Sequence, residues 1–383
     1  MNNRLVIFIL ILSACPLFAQ TAARPWWYSL EQGKLKFRAG DYGGALLSFE
    51  DARRQRRAMY ERMEQDFINL LSVGEVRRLG DSLEFVDRYS RERNYYAAAA
   101  ALEELYYRVP RESLNNSAAT ALQVIGKLKD YPEAEYWIGE IYRFEGELTL
   151  ALAQFRKAYS LRELFENRDF DAVLLYRIAG ILKTRQDYNE MEKVLLSIIA
   201  DSDTLWSNAA KADQNNPSIP YIQASASFAS QAMTRTLENE GISRFLELYR
   251  YNNSAVEQAH RLLGFYYAVS GRSAQQHLTF AFLIQNTIII EEIRRGQYDF
   301  TFTNLSKLAD EIKINPLLSS YTKEVEYYKT AYYLGVSLYR GGKTNVARDF
   351  WMFLAEQPQA GEWQGRALNQ LRNPHLEPVV EMP

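Results

Sequence analysis

Residues 136–158 read YWIGEIYRFEGELTLALAQFRKA. Small residues and aromatics fall there in a fixed order, Gly139, Tyr142, Gly146, Ala151, Phe155 and Ala158. Two helices of about twelve residues joined at Gly146 account for that order, because Gly139 and Ala151 leave room for an aromatic ring of the facing helix. The ladder returns as Gly33, Gly40, Ala45, Phe49, Ala52 and as Leu334, Gly335, Gly342, Ala347, Trp351, Leu354. Helix pairs of this kind cover their apolar faces by stacking on one another. The spacing therefore predicts an all-α solenoid whose product is a surface.

Working outward, the first repeat runs from Trp26 to Ala52 with its turn at Ala39-Gly40-Asp41-Tyr42. A second spans Ser82 to Pro110, turning at Asn94-Tyr95, with Val86 where the small residue belongs. The stretch quoted above lies in a third, Pro132 to Ser160; a fourth, Leu175 to Ile199, has Ala179 as its small residue, a turn at Gln186-Asp187-Tyr188, and Met191, Leu195 and Ile198 inward. Ala45, Ala98 and Ala151 are 53 residues apart each time. That exceeds a repeat of about 34 by enough for one more helix, and Met59–Val73 and Ser117–Lys129 are the candidates. The ladder fades over residues 201–240, where Asn215-Asn216-Pro217-Ser218-Ile219-Pro220 reads as a loop before a small-residue helix, Ala224 to Met233. A hinge or irregular insertion is expected there, between repeats at 20–200 and at 241–372. The second half carries Leu263-Gly264-x-x-Tyr267 with Gly271 at the turn and Phe280 and Leu283 inward. Gln276 replaces its anchor alanine, which argues against a tight crossing. A further second-helix pattern follows Gly296-Gln297-Tyr298, and Ala331 to Leu354 is the last full unit. Three prolines in NPHLEPVVEMP mark residues 373–383 as a disordered tail.

The amino terminus has the layout of a secretory leader: Arg4, an apolar run from Leu5 to Leu12, then Ser13-Ala14-Cys15-Pro16-Leu17-Phe18-Ala19. Two processing routes are open. Cleavage after Ala19 removes residues 1–19 and leaves a periplasmic or secreted protein. Leu12-Ser13-Ala14-Cys15 also resembles the bacterial lipobox, and acylation of Cys15 would anchor the chain to a membrane. Cys15 is the sole cysteine, so the soluble route leaves no thiol for a disulfide, metal site or nucleophile.

The chain has 383 residues, a net charge of −2 and 47% apolar residues. A large helical core is within reach, and the balanced charge argues against a nucleic-acid binder. His260, His277 and His375 are too far apart for an i, i+4 metal pair, and no nucleotide-binding glycine loop or nucleophile elbow is present. Glu103-Glu104 and Glu291-Glu292 point about 100° apart on a helix and do not form acid/base pairs. No cofactor and no metal are expected. The cluster Arg53-Arg54-Gln55-Arg56-Arg57 reads either as cations near a helix C-terminus or as a contact for anionic lipid or an acidic partner.

The pattern of Ile138-Gly139-x-x-Tyr142 with Ala151, Phe155 and Ala158, together with Leu263-Gly264-x-x-Tyr267 and Leu334-Gly335, resembles the tetratricopeptide repeat family. The resemblance implies a right-handed superhelix of antiparallel helix pairs, no catalysis, and a groove lined by first helices that takes segments of partner proteins. Counted from each small residue, the groove positions are Tyr136, Trp137, Arg143 and Phe144; Tyr176, Arg177, Lys183 and Thr184; and Tyr332, Tyr333, Tyr339 and Arg340. Tyr136, Trp137, Arg143, Tyr176, Arg177, Tyr332, Tyr333 and Arg340 are the expected binding residues, since Tyr, Trp and Arg dominate binding hot spots; packing between repeats is the competing role for the rings. The Gly264 unit offers only Arg261, Leu262, Ala268 and Val269 and is expected to be covered. The sequence thus points to a non-catalytic scaffold of the cell envelope that binds other envelope proteins. Small-ligand or glycan binding, with Trp26-Trp27-Tyr28 as a stacking platform, is the alternative, and an all-helical hydrolase the third.

Overall fold

The computed structural model describes residues 25–72, 82–108, 118–166, 170–212 and 226–376. Among the described residues every regular element is a helix. The expected leader with Cys15, the loop Asn215–Pro220, Pro110 and residues 377–383 of the expected tail lie outside them. The chain divides into two compact units, Met1–Ile181 and Leu182–Pro383. The division falls inside the expected fourth repeat rather than in the expected hinge. The described parts of residues 201–240 belong to two long helices, and the centre of the expected hinge lies outside the described residues.

In the first unit, α1 (Trp26–Arg38) and α2 (Tyr42–Ser72) form the first pair, and α6 (Pro132–Phe144) and α7 (Leu148–Ser160) another. Pro132 occupies the first turn of α6, where its missing N–H is no loss. The turn after α6 closes at Gly146 with φ of 82°, a left-handed conformation that glycine adopts without strain, and the Glu147 N–H returns to the Tyr142 carbonyl. Across the pair, Gly139 faces the Phe155 ring so closely that an added Cβ would lie 2.8 Å from it. Phe155 is fully buried, so the glycine is what lets the two helices approach.

Between these pairs lie α3 (Ser82–Arg91), α4 (Tyr95–Arg108) and α5 (Ala118–Leu128). Of the two extra helices expected, α5 is separate, whereas Met59–Val73 is no element of its own. Met59–Ser72 is the continuation of α2, whose 31 residues reach about 46 Å. The stretch from Arg53 to Gln65 has no Gly or Pro to stop it. This long helix serves two cores. Ala45, Phe49 and Ala52 pack with Leu30, Ala134, Ile138 and Ile141, while Tyr60 and Met63 pack with Val86, Ala98, Leu102, Val124 and Ile125. As a result α2 packs directly on α6, and α3 to α5 form a side excursion off its far half. Ala98 lies inside that excursion, with Ala45 before it and Ala151 after it.

The second unit repeats the arrangement. It contains α9 (Tyr188–Ala212), α10 (Ala226–Leu248), the pair α11 (Ser254–Val269) and α12 (Gln275–Gly296), short α13 (Leu305–Ile314) and α14 (Pro316–Glu324), the pair α15 (Tyr327–Arg340) and α16 (Thr344–Ala355), and α17 (Glu362–Arg372). The remaining helix, α8 (Phe170–Thr184), carries the division between the units. In each pair a glycine meets a large side chain: Gly335 faces Trp351, and Gly264 faces Leu278 with an added Cβ 2.6 Å from it. The crossing expected to be loose at Gln276 is therefore tight, because Leu278 supplies the bulk two residues on. Stacking follows one rule in both units. The second helix of a pair packs on the first helix of the next: α2 on α6, α9 on α11, α12 on α15, α16 on α17. In α10, Gly241 (φ 84°, ψ 178°) breaks the helix, which lies against α12 and α16.

Candidate interaction site

The expected binding residues of the first unit lie on α6 and α8, and the rings of Tyr136 and Trp137 meet edge-on at 5.4 Å. Tyr136 turns into the packing, 6% exposed, with its ring 4.7 Å from Phe170 and 5.7 Å from Phe155. Burial pushes its hydroxyl above the usual tyrosine range. Arg143 and Arg177 converge on Glu140, whose side chain is 4% exposed; Arg143 Nη2 and Arg177 Nε both stand 2.8 Å from its carboxylate. Two guanidiniums on one buried carboxylate form a structural clamp, so removing either leaves charge poorly compensated. Tyr176 is half-buried on α8.

Trp137, next to Tyr136, anchors an aromatic surface. Its ring stacks on Phe49 at 5.9 Å and 18°, and Phe37 of α1 meets it edge-on at 5.3 Å. Phe37 in turn touches Phe144 and Tyr42, and Tyr42 stacks on Phe144 at 5.7 Å and 23°. Phe144 is 52% exposed, and the Arg143 guanidinium covers one part of it at 4.5 Å. Phe37 and Phe144 come from the ends of two first helices and Trp137 from the middle of α6, and Phe49 beneath them is fully buried. A rigid aromatic wall with one open ring is thus fixed to a packed core.

Beneath this wall, buried Glu135 of α6 joins three helices: Arg53 of α2 at 3.2 Å, Lys157 of α7 at 2.6 Å, and Gln154 of α7. Arg53 belongs to the basic cluster, which lies in the middle of α2, not near its C-terminus. Helix-dipole stabilisation therefore does not explain it. Arg56 is buried, donates to the Leu128 carbonyl and stacks between Trp26 and Tyr131, while Arg57 pairs with Asp130. Arg54, paired with Asp51, is the cluster's most solvated member at 77% side-chain exposure, and Arg57 is exposed as well. Trp26, named with Trp27 and Tyr28 as a sugar platform, packs edge-on to Tyr131 at 4.9 Å; Trp27 is 53% exposed.

In the second unit the two expected tyrosines are closed off. Tyr332 and Tyr333 are 0% and 4% exposed. Trp363 of α17 covers both, at 5.4 and 5.6 Å, and Gln370 donates to the Tyr332 hydroxyl. Residues of the expected tail join this cover, since the His375 N–H donates to Gln370 and the Tyr339 hydroxyl donates to the Pro374 carbonyl. Arg340 is exposed at the end of α15. The chain's own last helix thus takes the place a ligand would need at Tyr332 and Tyr333.

The histidines far apart in sequence are not all apart in space. His260 and His277 place their Nδ1 atoms 3.0 Å from each other across the α11–α12 pair. Burial pushes His260 down to about 3 and His277 to about 4, so both are neutral and one donates to the other. Among the described residues no group of three or more metal-ligating side chains is assembled, and no described helix is long and apolar enough to cross a membrane.

Comparison with known proteins adds little chemistry. No family model matches the chain. An uncharacterized protein of Treponema pallidum (strain Nichols) is 22% identical over 351 residues, covering 90% of this chain and 89% of that protein. The similarity runs through both units, and so it concerns the whole architecture rather than one end.

Proposed function

We propose that the chain is a tetratricopeptide-type scaffold of the cell envelope, wound as a right-handed superhelix, that binds segments of other envelope proteins and catalyses nothing. The observation that carries this reading is the aromatic wall of Phe37, Tyr42, Trp137 and Phe144. Phe37, Trp137 and Phe144 belong to first helices, the helices that line the groove of such repeats, Tyr42 opens the second helix α2, and the exposed Phe144 ring rests on a packed core. The occupant is an extended or helical segment with an apolar or aromatic anchor, because Arg143 is already committed to Glu140. The leader-like start of the sequence supports an exported protein, periplasmic or lipid-anchored through Cys15.

Phe144→Ser tests the reading without disturbing the core. A tagged full-length protein retrieved from its native envelope should lose its partner on this substitution, with helical circular dichroism unchanged. Equal recovery by the variant and the original protein would remove the wall from the interaction.

A further inference from the structure

The second unit contains a cavity of about 330 Å³ between α11, α12 and α14, within the size range of small-molecule sites. Its walls include Ser254, Glu257, Gln258 and Arg261 of α11 and Tyr321 and Glu324 of α14. Charge inside it is unevenly spent. Arg261 is buried and serves two carboxylates, Glu257 at 3.1 Å and Glu326. Glu326 also takes Lys329 at 3.0 Å and lies near Lys183. Glu324 is exposed and forms no ion pair among the described residues. The Tyr321 hydroxyl is buried with no hydrogen-bond partner. A buried hydroxyl left without a partner is costly, and here it borders an open volume that a ligand atom can fill.

The walls are also held in place. Gln285, fully buried, donates to Glu257 at 2.6 Å and to the Val325 carbonyl at 2.9 Å. The next residue, Glu326, is in the left-handed region at φ 48° and ψ 42°, a strained conformation for a residue with a Cβ. The turn that carries Glu324 and Val325 is thus fixed by contacts to α11 and α12, and the cavity is preformed.

We propose that this cavity binds a small organic cation, an amine carrying at least one further hydrogen-bonding group, with its ammonium between Glu324 and Glu257 and its second group on the Tyr321 hydroxyl. The inference does not depend on the aromatic wall, which lies in the other unit. Burial raises the Glu257 carboxyl above the usual carboxylate range. Binding of a cation favours its ionised form, so affinity should rise with pH.

Isothermal titration of the full chain with putrescine, ethanolamine and lysine, and with succinate and glucose as contrasts, tests this. At least one amine should saturate one site, more tightly at pH about 8 than at about 5. Glu324→Gln sits at the exposed rim and Tyr321→Phe removes only an unpartnered hydroxyl, so both variants should keep the original unfolding midpoint. Each should weaken amine binding about tenfold, the worth of one hydrogen bond. Absence of saturation by all three amines, equal affinity in both variants, or preferential binding of succinate or glucose would overturn the assignment.

Discussion

Substituting Gly139 by alanine should destabilise the first unit, although alanine is the better helix former. A Cβ at this position lands 2.8 Å from Phe155 Cε1 and 2.9 Å from Cδ1, whereas carbon atoms prefer about 3.5–4.0 Å. Phe155 is fully buried and touches the Tyr136 ring, so the ring has nowhere to retreat. Overpacking of this kind costs about 1–3 kcal/mol, against a gain of about 1 kcal/mol in helix propensity. The net loss is up to about 2 kcal/mol. Gly126, exposed on α5 in the same unit, is the control: an added Cβ there meets nothing within 4 Å, and Gly126→Ala should gain about 1 kcal/mol. Urea unfolding followed by circular dichroism reads both. Phe155→Leu shortens the obstructing side chain, so it should cost less in the Gly139→Ala background than alone, with a coupling of about 1 kcal/mol. If Gly139→Ala stabilises as Gly126→Ala does, or the two changes add without coupling, close approach at glycine does not hold the pairs together.

Three further outcomes are expected. Gln186 is exposed and holds φ of 61° at the turn position where Gly40, Gly146 and Gly342 stand in the better-formed pairs; Gln186→Gly should therefore raise the unfolding midpoint by the equivalent of about 1 kcal/mol. Replacing Glu135 by alanine leaves Arg53 with Glu50 alone and Lys157 without its carboxylate at a three-helix junction; since both cations reach solvent it should cost about 1–2 kcal/mol, read in the same urea experiment. Below pH about 6.5 the unfolded chain protonates His260 and His277 while the folded chain, with values of about 3 and 4, does not. Stability should accordingly be complete above that pH and fall as pH drops toward 4, by up to about 1.4 kcal/mol per pH unit for each ring. Arg272 opposes and Glu192 favours protonation of His277. A His260→Asn, His277→Gln variant should flatten the profile, and an unchanged acid dependence would assign it to other groups.

How much of this could be read from the sequence follows from what periodicity encodes. A small residue set 16 positions before an aromatic, as in Gly139 and Phe155 or Gly335 and Trp351, reports a crossing between neighbouring helices, and those crossings are where the spacing placed them. The glycine turns at Gly40, Gly146 and Gly342 were equally plain, because each needs a left-handed residue. Length was not legible from the repeat count. The added helix at Met59–Val73 came from matching a spacing of about 34, while the helix-forming run Arg53 to Gln65 already signalled continuity. Burial of Tyr332 and Tyr333 was hidden, since a covering helix leaves no mark on the helix it covers. The cavity draws residues from 254 to 324 on separate helices, and no local pattern joins them. The histidine pair had a weak signal: once Gly264 is set against Leu278 across the turn at Gly271, His260 and His277 fall near the same crossing.

A photoreactive phenylalanine analogue at position 144, compared with the same analogue at exposed Met352 on α16, tests the scaffold reading most directly. Irradiation of cells making the full chain should yield a discrete adduct with one envelope protein from position 144 and none from 352, and Tyr42→Ser should abolish it. No adduct from position 144, or the same adducts from both positions, would contradict the account.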